Sequence, residues 1–300
     1  MACCLSETPA PKPATSKRMF HMKIKFIGVG SAFTTPEYYQ SNMLITASSG
    51  KHLLLDCGSD IRFSLNESGH PSGGALSGEE ASAGGIDAIY ISHLHSDHIG
   101  GMEWMAFKSY FGMDPEKPKL FMEEGLMHEM WNSSLKGGLG CIEGKCMHLT
   151  DYFECRPVDR GRAFEWEGIR FALVGMRHVM TGYKNHCSYG LLMREEERKE
   201  EEAVFITTDT QFDPEVIREL SKKTLAIFHD CETSPFKSVV HAHYDDLRTL
   251  PEEVRRKMWL YHYQPHPGND PKADGFSGFV KKGQEFIFSE SQSYITNIPS

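Results

Sequence analysis

The sequence has no uninterrupted apolar stretch of the roughly 18 residues that a membrane-spanning helix needs, so no membrane partner is expected. It also lacks a net basic charge. With 32 Lys and Arg against 41 Asp and Glu, the formal charge is -9, and the chain as a whole carries no positive field that would gather long nucleic acids. A local basic pocket is still compatible with that balance. The eight cysteines never form the C-x-x-C pairs of a structural zinc site, and no apolar leader accompanies them, which makes reduced thiols in a cytoplasm the simplest account. What is present suffices for a core: 300 residues at 40% hydrophobic can build one large domain or two small ones.

Residues 1–21 carry three prolines among small and polar residues and are expected to form a flexible tail, with 22–300 as the folded part. Lys23 to Ile27 alternates like a strand and runs into Gly28-Val29-Gly30-Ser31, where glycine is expected to free a turn. Met43-Leu44-Ile45 and Leu53-Leu54-Leu55 flank Ser48-Ser49-Gly50-Lys51 and predict a hairpin ending in Asp56-Cys57-Gly58. The Gly- and Ser-rich stretch 69–85 predicts a surface loop, and Ile86 to Ile91 a buried strand that delivers a histidine cluster at its carboxyl end.

That cluster is His93, His95, Asp97 and His98, four potential ligands within six residues. In an extended segment His93 and His95 project to the same side and can grip one ion. A turn into a helix at Ser96 lets Asp97 and His98 face a second ion beside it. Imidazole with carboxylate suits Zn, Mn or Fe better than Ca or Mg. Solvated surface histidines are the alternative, but three of them with an aspartate, directly after a buried strand, outweigh it.

The segment H-L-H-S-D-H resembles the H-x-H-x-D-H signature of the metallo-β-lactamase superfamily. The resemblance implies an α/β fold, a four-layer αβ/βα sandwich of two mixed sheets flanked by helices. Asp56 and Gly58 in LLLDCGSD match the family's first motif, His178 in GMRHV its third histidine, Asp209 in FITTDTQF its bridging aspartate and His262 in MWLYHYQPH its last ligand. A lone His178 or His262 would more often be a core histidine, but order and context reverse that balance. The implied site puts His93, His95 and His178 on one divalent ion and Asp97, His98 and His262 on the other, with Asp209 between them. Zn is the expected metal and Mn the alternative. Such a pair, about 3.5–4 Å apart, acidifies a bridging water and clamps the attacking and leaving oxygens of a phosphodiester. Cys57 and Cys231 do not occupy the ligand position that antibiotic-degrading members give to cysteine, so β-lactam hydrolysis is not expected.

His229-Asp230-Cys231-Glu232-Thr233 and His241-Ala242-His243 resemble the HEAT and GHS segments of tRNase Z, where a carboxylate holds a general-acid histidine. The match implies His241 as the acid and Asp230 as its partner. His243 and Glu232 are the alternative pair and candidate substrate contacts, and two exposed loop histidines remain the bland reading. The interval between His178 and Asp209 is too short for the tRNA-clamping arm of tRNase Z, and its acidic run Arg194 to Glu202 is expected to be a solvated hairpin.

TTDTQF, FHDCET, HAHYDDLRTLP and MWLYHYQ are similar to the second half of the anti-Pycsar family, metallo-β-lactamase-fold phosphodiesterases that hydrolyse cyclic mononucleotides. Residues 126–146 resemble the insertion that covers the active site in that family. The resemblance implies opening of a 3′,5′-cyclic mononucleotide to a linear monophosphate, with Asp97 and His241 in the catalytic machinery, in a cytoplasmic homodimer that counters cyclic nucleotide antiviral signalling. Tyr183, Asn185, His186 and Tyr189 are candidates to line a pocket near His178, although Tyr189 and Leu191 read equally well as strand residues. A tRNase Z-like endoribonuclease or general nuclease is the second reading. A silent nucleotide-binding member is the third, and the complete ligand set speaks against it.

Overall fold

Alternation puts Met22, Ile24 and Phe26 on the buried side of the first strand, Met22–Phe26, while Lys23 and Lys25 lie half-buried on the other. The computed structural model describes residues 22–70, 85–112, 116–183, 185–288 and 294–298, and for Asn185 the backbone only. The expected tail 1–21 and most of the predicted loop 69–85 lie outside the described residues. Gly28 and Gly30 serve close approach, not a left-handed turn. A Cβ on Gly28 would stand 1.9 Å from the backbone oxygen of Gln40, and neither glycine has positive φ.

The first strand is the third of an eight-stranded sheet ordered Tyr294–Asn297, Glu285–Phe288, Met22–Phe26, Met43–Thr46, His52–Leu55, Ala88–Tyr90, Lys119–Glu123 and Glu154–Val158. Its first five strands are antiparallel neighbours, and from His52–Leu55 onward the pairing is parallel. The hairpin expected at 43–55 is there, closed by a hydrogen bond from Ala47 N to Lys51 O. A seven-stranded sheet runs Gly278–Phe279, Met258–Tyr261, Thr224–Asp230, Ala203–Ile206, Asn185–Glu195, Ile169–Met180 and Ala163–Trp166, parallel in its first half and antiparallel in its second.

The two sheets face each other through one apolar core. Phe26 meets Phe228 at 5.0 Å between ring centroids, and Phe228 meets Phe286 at 4.7 Å. Each of these fully buried rings contributes roughly 1.5–3 kcal/mol by leaving water. Helices Ile61–Glu67 and Met102–Phe111 cover the outer face of the first sheet through Ile61, Leu65, Met102 and Met105. Pro214–Ser221, Tyr244–Leu247 and Glu252–Arg255 cover the second through Ile217, Leu247 and Val254. The result is the expected four-layer sandwich of two mixed sheets.

Residues 126–146 run through the helix Glu124–Met130, a π-helical turn Trp131–Leu135, a short helix Lys136–Leu139 and a small hairpin. Their apolar side chains pack with Met102, Met105 and Tyr152. The acidic run does join antiparallel neighbours, as a hairpin connection should, yet it is not wholly solvated: Glu195 is buried and accepts from Arg198 at 2.8 Å. Among the described residues no helix is long and apolar enough to cross a membrane.

Candidate metal centre

The parallel strands of both sheets end at one edge, where loops are free of the ladder. After Ala88–Tyr90 the chain stays extended through His95, whose ψ is 151°, and then turns into the helix Ser96–Ile99, the break predicted from sequence. At this site the strand-end residues Asp56, Thr208 and His262 adopt the left-handed region, at φ 61°, 54° and 63°. Backbone strain of this kind gathers where geometry is dictated by function.

The structure brings all seven predicted metal-ligating residues together. His93, His95, His178 and Asp209 form one group and Asp97, His98, Asp209 and His262 a second, with the donor atoms of each group within 4.8 Å of one another. Asp209 faces both ways. Its Oδ2 lies 3.6 Å from His93 Nε2 and 3.7 Å from His178 Nε2, while Oδ1 lies 3.2 Å from His98 Nε2 and 3.4 Å from His262 Nε2.

The outer hydrogen bonds settle which ring nitrogens point inward. Ser92 Oγ donates its single proton to Asp56 Oδ2 at 2.8 Å and therefore accepts from His93 Nδ1 at 3.0 Å. His178 Nδ1 donates to Val240 O at 2.9 Å, and His98 Nδ1 to Asp56 Oδ2 at 2.7 Å. His93 Nε2 and His178 Nε2 are thus left as lone pairs, 3.1 and 3.0 Å from His95 Nδ1, and one proton on His95 can satisfy only one of those contacts. In the second group His98 Nε2 and Asp209 Oδ1 are buried and make no hydrogen bond among the described residues. Inward lone pairs of imidazole and carboxylate fit a divalent cation of the Zn or Mn type.

The charges tell the same story. Burial, reinforced by neighbouring histidines, holds the pKa values of His93, His95 and His178 below the ordinary imidazole range. Burial also opposes protonation of His98 and His262, but Asp209 leads the carboxylates that outweigh it, lifting His98 well up and His262 to about 10. Burial disfavours an ionised Asp209 as well, yet His262 and His98 keep it well below the usual carboxylate range. The site is a pocket of negative charge that protons or cations must balance.

His241 stands beside this centre, part exposed, with Nδ1 donating to Asp230 Oδ2 at 2.8 Å. Burial would lower its pKa, but Asp230 and Asp209 raise it. Asp230 also accepts from Thr210 N at 2.9 Å, so its carboxylate ties the His241 ring to the Asp209 loop. Asp209, Asp230, His241 and His262 form a further donor group that shares two members with the second.

The remaining expected contacts lie elsewhere. Glu232 is buried and accepts from Ser238 N at 2.8 Å and Ser234 Oγ at 3.0 Å. His243 turns to Ser234 O at 3.0 Å and accepts from Asp245 N at the start of its helix. Both side chains clamp the loop 233–243. Tyr183 is fully exposed at the hairpin tip, the Asn185 side chain lies outside the described residues, and Tyr189 and Leu191 are buried strand residues. Ser92 and Val240, which orient His93 and His178, carry no signal in a sequence: a hydroxyl and a main-chain carbonyl.

The family model for anti-Pycsar protein Apyc1 matches residues 22–286. An anti-Pycsar protein Apyc1 from Bacillus phage vB_BsuM-Goe3 is 32% identical over 274 residues, covering 88% of this chain and 98% of the relative. Another, from Paenibacillus harenae, is 34% identical over 244 residues, covering 81% and 90%. The metallo-β-lactamase fold protein YhfI from Bacillus subtilis superposes with a TM-score of 0.66 at 15% identity, over 89% of this chain and 99% of that one, a likeness of fold. With the ligand-type motifs, the four layers and these relatives in agreement, this chain belongs to the anti-Pycsar Apyc1 family and has the metallo-β-lactamase fold.

Proposed function

We propose that this protein is a two-metal phosphodiesterase that hydrolyses 3′,5′-cyclic mononucleotides to linear nucleoside monophosphates. The observation that carries the reading is Asp209, with one carboxylate oxygen facing the His93, His95 and His178 trio and the other facing His98 and His262. His93, His95, His178 and Asp209 would hold one divalent ion, and Asp97, His98, His262 and the same Asp209 the other. When bound, such ions supply Lewis acidity that lowers the pKa of an attacking water and offsets charge on the phosphoryl oxygens.

The chain's own residues supply the proton. As water oxygen adds to phosphorus and gives up a proton to solvent, the bond to a ribose oxygen breaks, and that oxygen takes a proton from His241. Asp230 holds the ring by Nδ1, leaving Nε2 to face the leaving group, and although burial opposes it, Asp230 and Asp209 raise the pKa of the ring and so favour its proton. The connection between His178 and Asp209 is short, a hairpin followed by an acidic turn in which Arg198 is paired with Glu195, and this favours a small substrate over tRNA. A cytoplasmic homodimer that removes a cyclic nucleotide antiviral signal belongs to the same proposal, as does an active-site cover built from residues 126–146.

The test offers purified protein, with Zn or Mn, a panel of cyclic mononucleotides, cyclic dinucleotides and precursor tRNA. Linear monophosphate from a cyclic mononucleotide is the expected product, and Asp97→Ala should lower that activity by about 100-fold or more. Cleavage of the tRNA alone would overturn the substrate, and full activity in Asp97→Ala would overturn the mechanism.

A further inference from the structure

Cys141 and Cys146 occupy directly opposed positions on the small hairpin that ends the segment 126–146. Gly144, with φ 74°, closes the two-residue turn, and Ile142 pairs with Lys145 next to it. Met147 N donates to Gly140 O at 2.9 Å, which makes the pair outside the cysteines a hydrogen-bonded one. Hydrogen-bonded and non-hydrogen-bonded pairs alternate along an antiparallel ladder, so Cys141 and Cys146 form the closer, non-hydrogen-bonded kind, with Cα atoms about 4.5 Å apart. A disulfide needs Cα atoms roughly 4.4–6.8 Å apart and side chains on the same face, and an opposed pair meets both conditions.

The opposite face of the hairpin is pinned. Ile142 packs against the apolar cluster under the first sheet's helices, and Lys145 Nζ sits 5.6 Å from the Tyr110 ring centre and 3.2 Å from Asp151 Oδ1. The two thiols are therefore held in register and both are exposed, whereas Cys57 and Cys231 are buried. We infer that Cys141 and Cys146 are a thiol–disulfide exchange site whose co-reactant is a small disulfide of the glutathione class. The thiolate of Cys141 or Cys146 attacks one sulfur of the small disulfide, breaking its S–S bond and releasing one thiolate. The second cysteine then attacks the protein sulfur of the mixed disulfide, forming Cys141–Cys146 and releasing the second thiolate. Two protein thiols are oxidised and one small disulfide is reduced to two thiols. The inference does not rest on the proposed phosphodiesterase chemistry, although the hairpin belongs to the segment proposed as the active-site cover.

The experiment equilibrates the full-length protein in buffers from fully reduced to fully oxidised glutathione, quenches with acid, alkylates free thiols and maps the peptides by mass spectrometry. The expected result is joint loss of alkylation at both positions, with a peptide lighter by two hydrogens and no retained glutathione, reversed by reduced glutathione. Cys57 and Cys231 should alkylate at every ratio once the chain is denatured, and Cys146→Ser should trap a stable glutathione adduct on Cys141. Separate glutathione adducts on both wild-type cysteines, or alkylation of both at the most oxidising ratio, would overturn the inference.

Discussion

Ser92 has one proton to give, and giving it to Asp56 makes its oxygen the acceptor that turns the lone pair of His93 inward. Asp56 also accepts from Ser92 N at 2.8 Å and from His98 Nδ1, so a residue that would touch no ion fixes donors on both sides of the centre. Asp56→Ala should weaken metal affinity about 10- to 100-fold, measured by competition with a coloured chelator. His241→Ala should leave metal content unchanged while kcat falls about 100- to 10,000-fold, and a loss of bound metal instead would recast His241 as a ligand. A histidine away from the centre gives a pH effect. Burial first, then His70, lowers the pKa of His52 below 6.5, and the two rings pack edge to face at 4.7 Å. The unfolded chain therefore binds the proton more readily, so this contribution to stability is present above pH 6.5 and is lost as pH falls below it. Urea unfolding at pH 7.5 and 5.5 should show a smaller acid loss in His52→Gln. At this scale the sequence was legible where the candidate donors cluster, at His93 to His98, because four such side chains so close together have few other uses. It left His243 and Glu232 open beside His241 and Asp230, and of the two pairs it is Asp230 and His241 that meet at the centre. His243 begins a helix and turns to Ser234, a placement that motif matching does not reveal.

Strand ends carry most of the geometry of the centre, while His178 comes from a bulge inside the strand Ile169–Met180. Asp56, Thr208 and His262 each hold a left-handed backbone at a cost of about 1–3 kcal/mol. His262 N donates to Val29 O at 2.7 Å, which ties that conformation to the loop after the first strand. Gly58 lies so close to the Asp97 loop that a Cβ would stand 2.3 Å from Asp97 O. Gly58→Ala should destabilise the protein by about 1–3 kcal/mol and loosen Asp97 with it. Gly137 provides the opposite sign, since it sits inside the helix Lys136–Leu139 and a methyl group added there would meet nothing within 4 Å. Gly137→Ala should be neutral or stabilise by about 0.5–1 kcal/mol, and urea midpoints compare the two variants directly. Alternating apolar residues made the strands 22–26 and 43–55 readable in advance. Between 126 and 146 the helix breaks into a π-turn and two short pieces, and no single period runs long enough to announce them.

Across the whole molecule, the two mixed sheets and their helical covers followed from the family signature. Burial patterns alone would not have paired strands as distant as Met22–Phe26 and Glu285–Phe288. Oligomeric state is a matter for light scattering on the purified chain, where the proposed homodimer predicts twice the mass of 33.9 kDa. Removing divalent ions with a chelator should lower the melting temperature, and restoring Zn should recover it, because ligands that bind only the folded state stabilise it. The donors come from both layers: His93, His95, Asp97 and His98 from the edge of one sheet, His178, Asp209 and His262 from the edge of the other. The centre therefore lies on a seam. An ion held there would act as a rivet through two plates, and its slow escape would be timed by the parting of the plates, not by the rupture of any one bond.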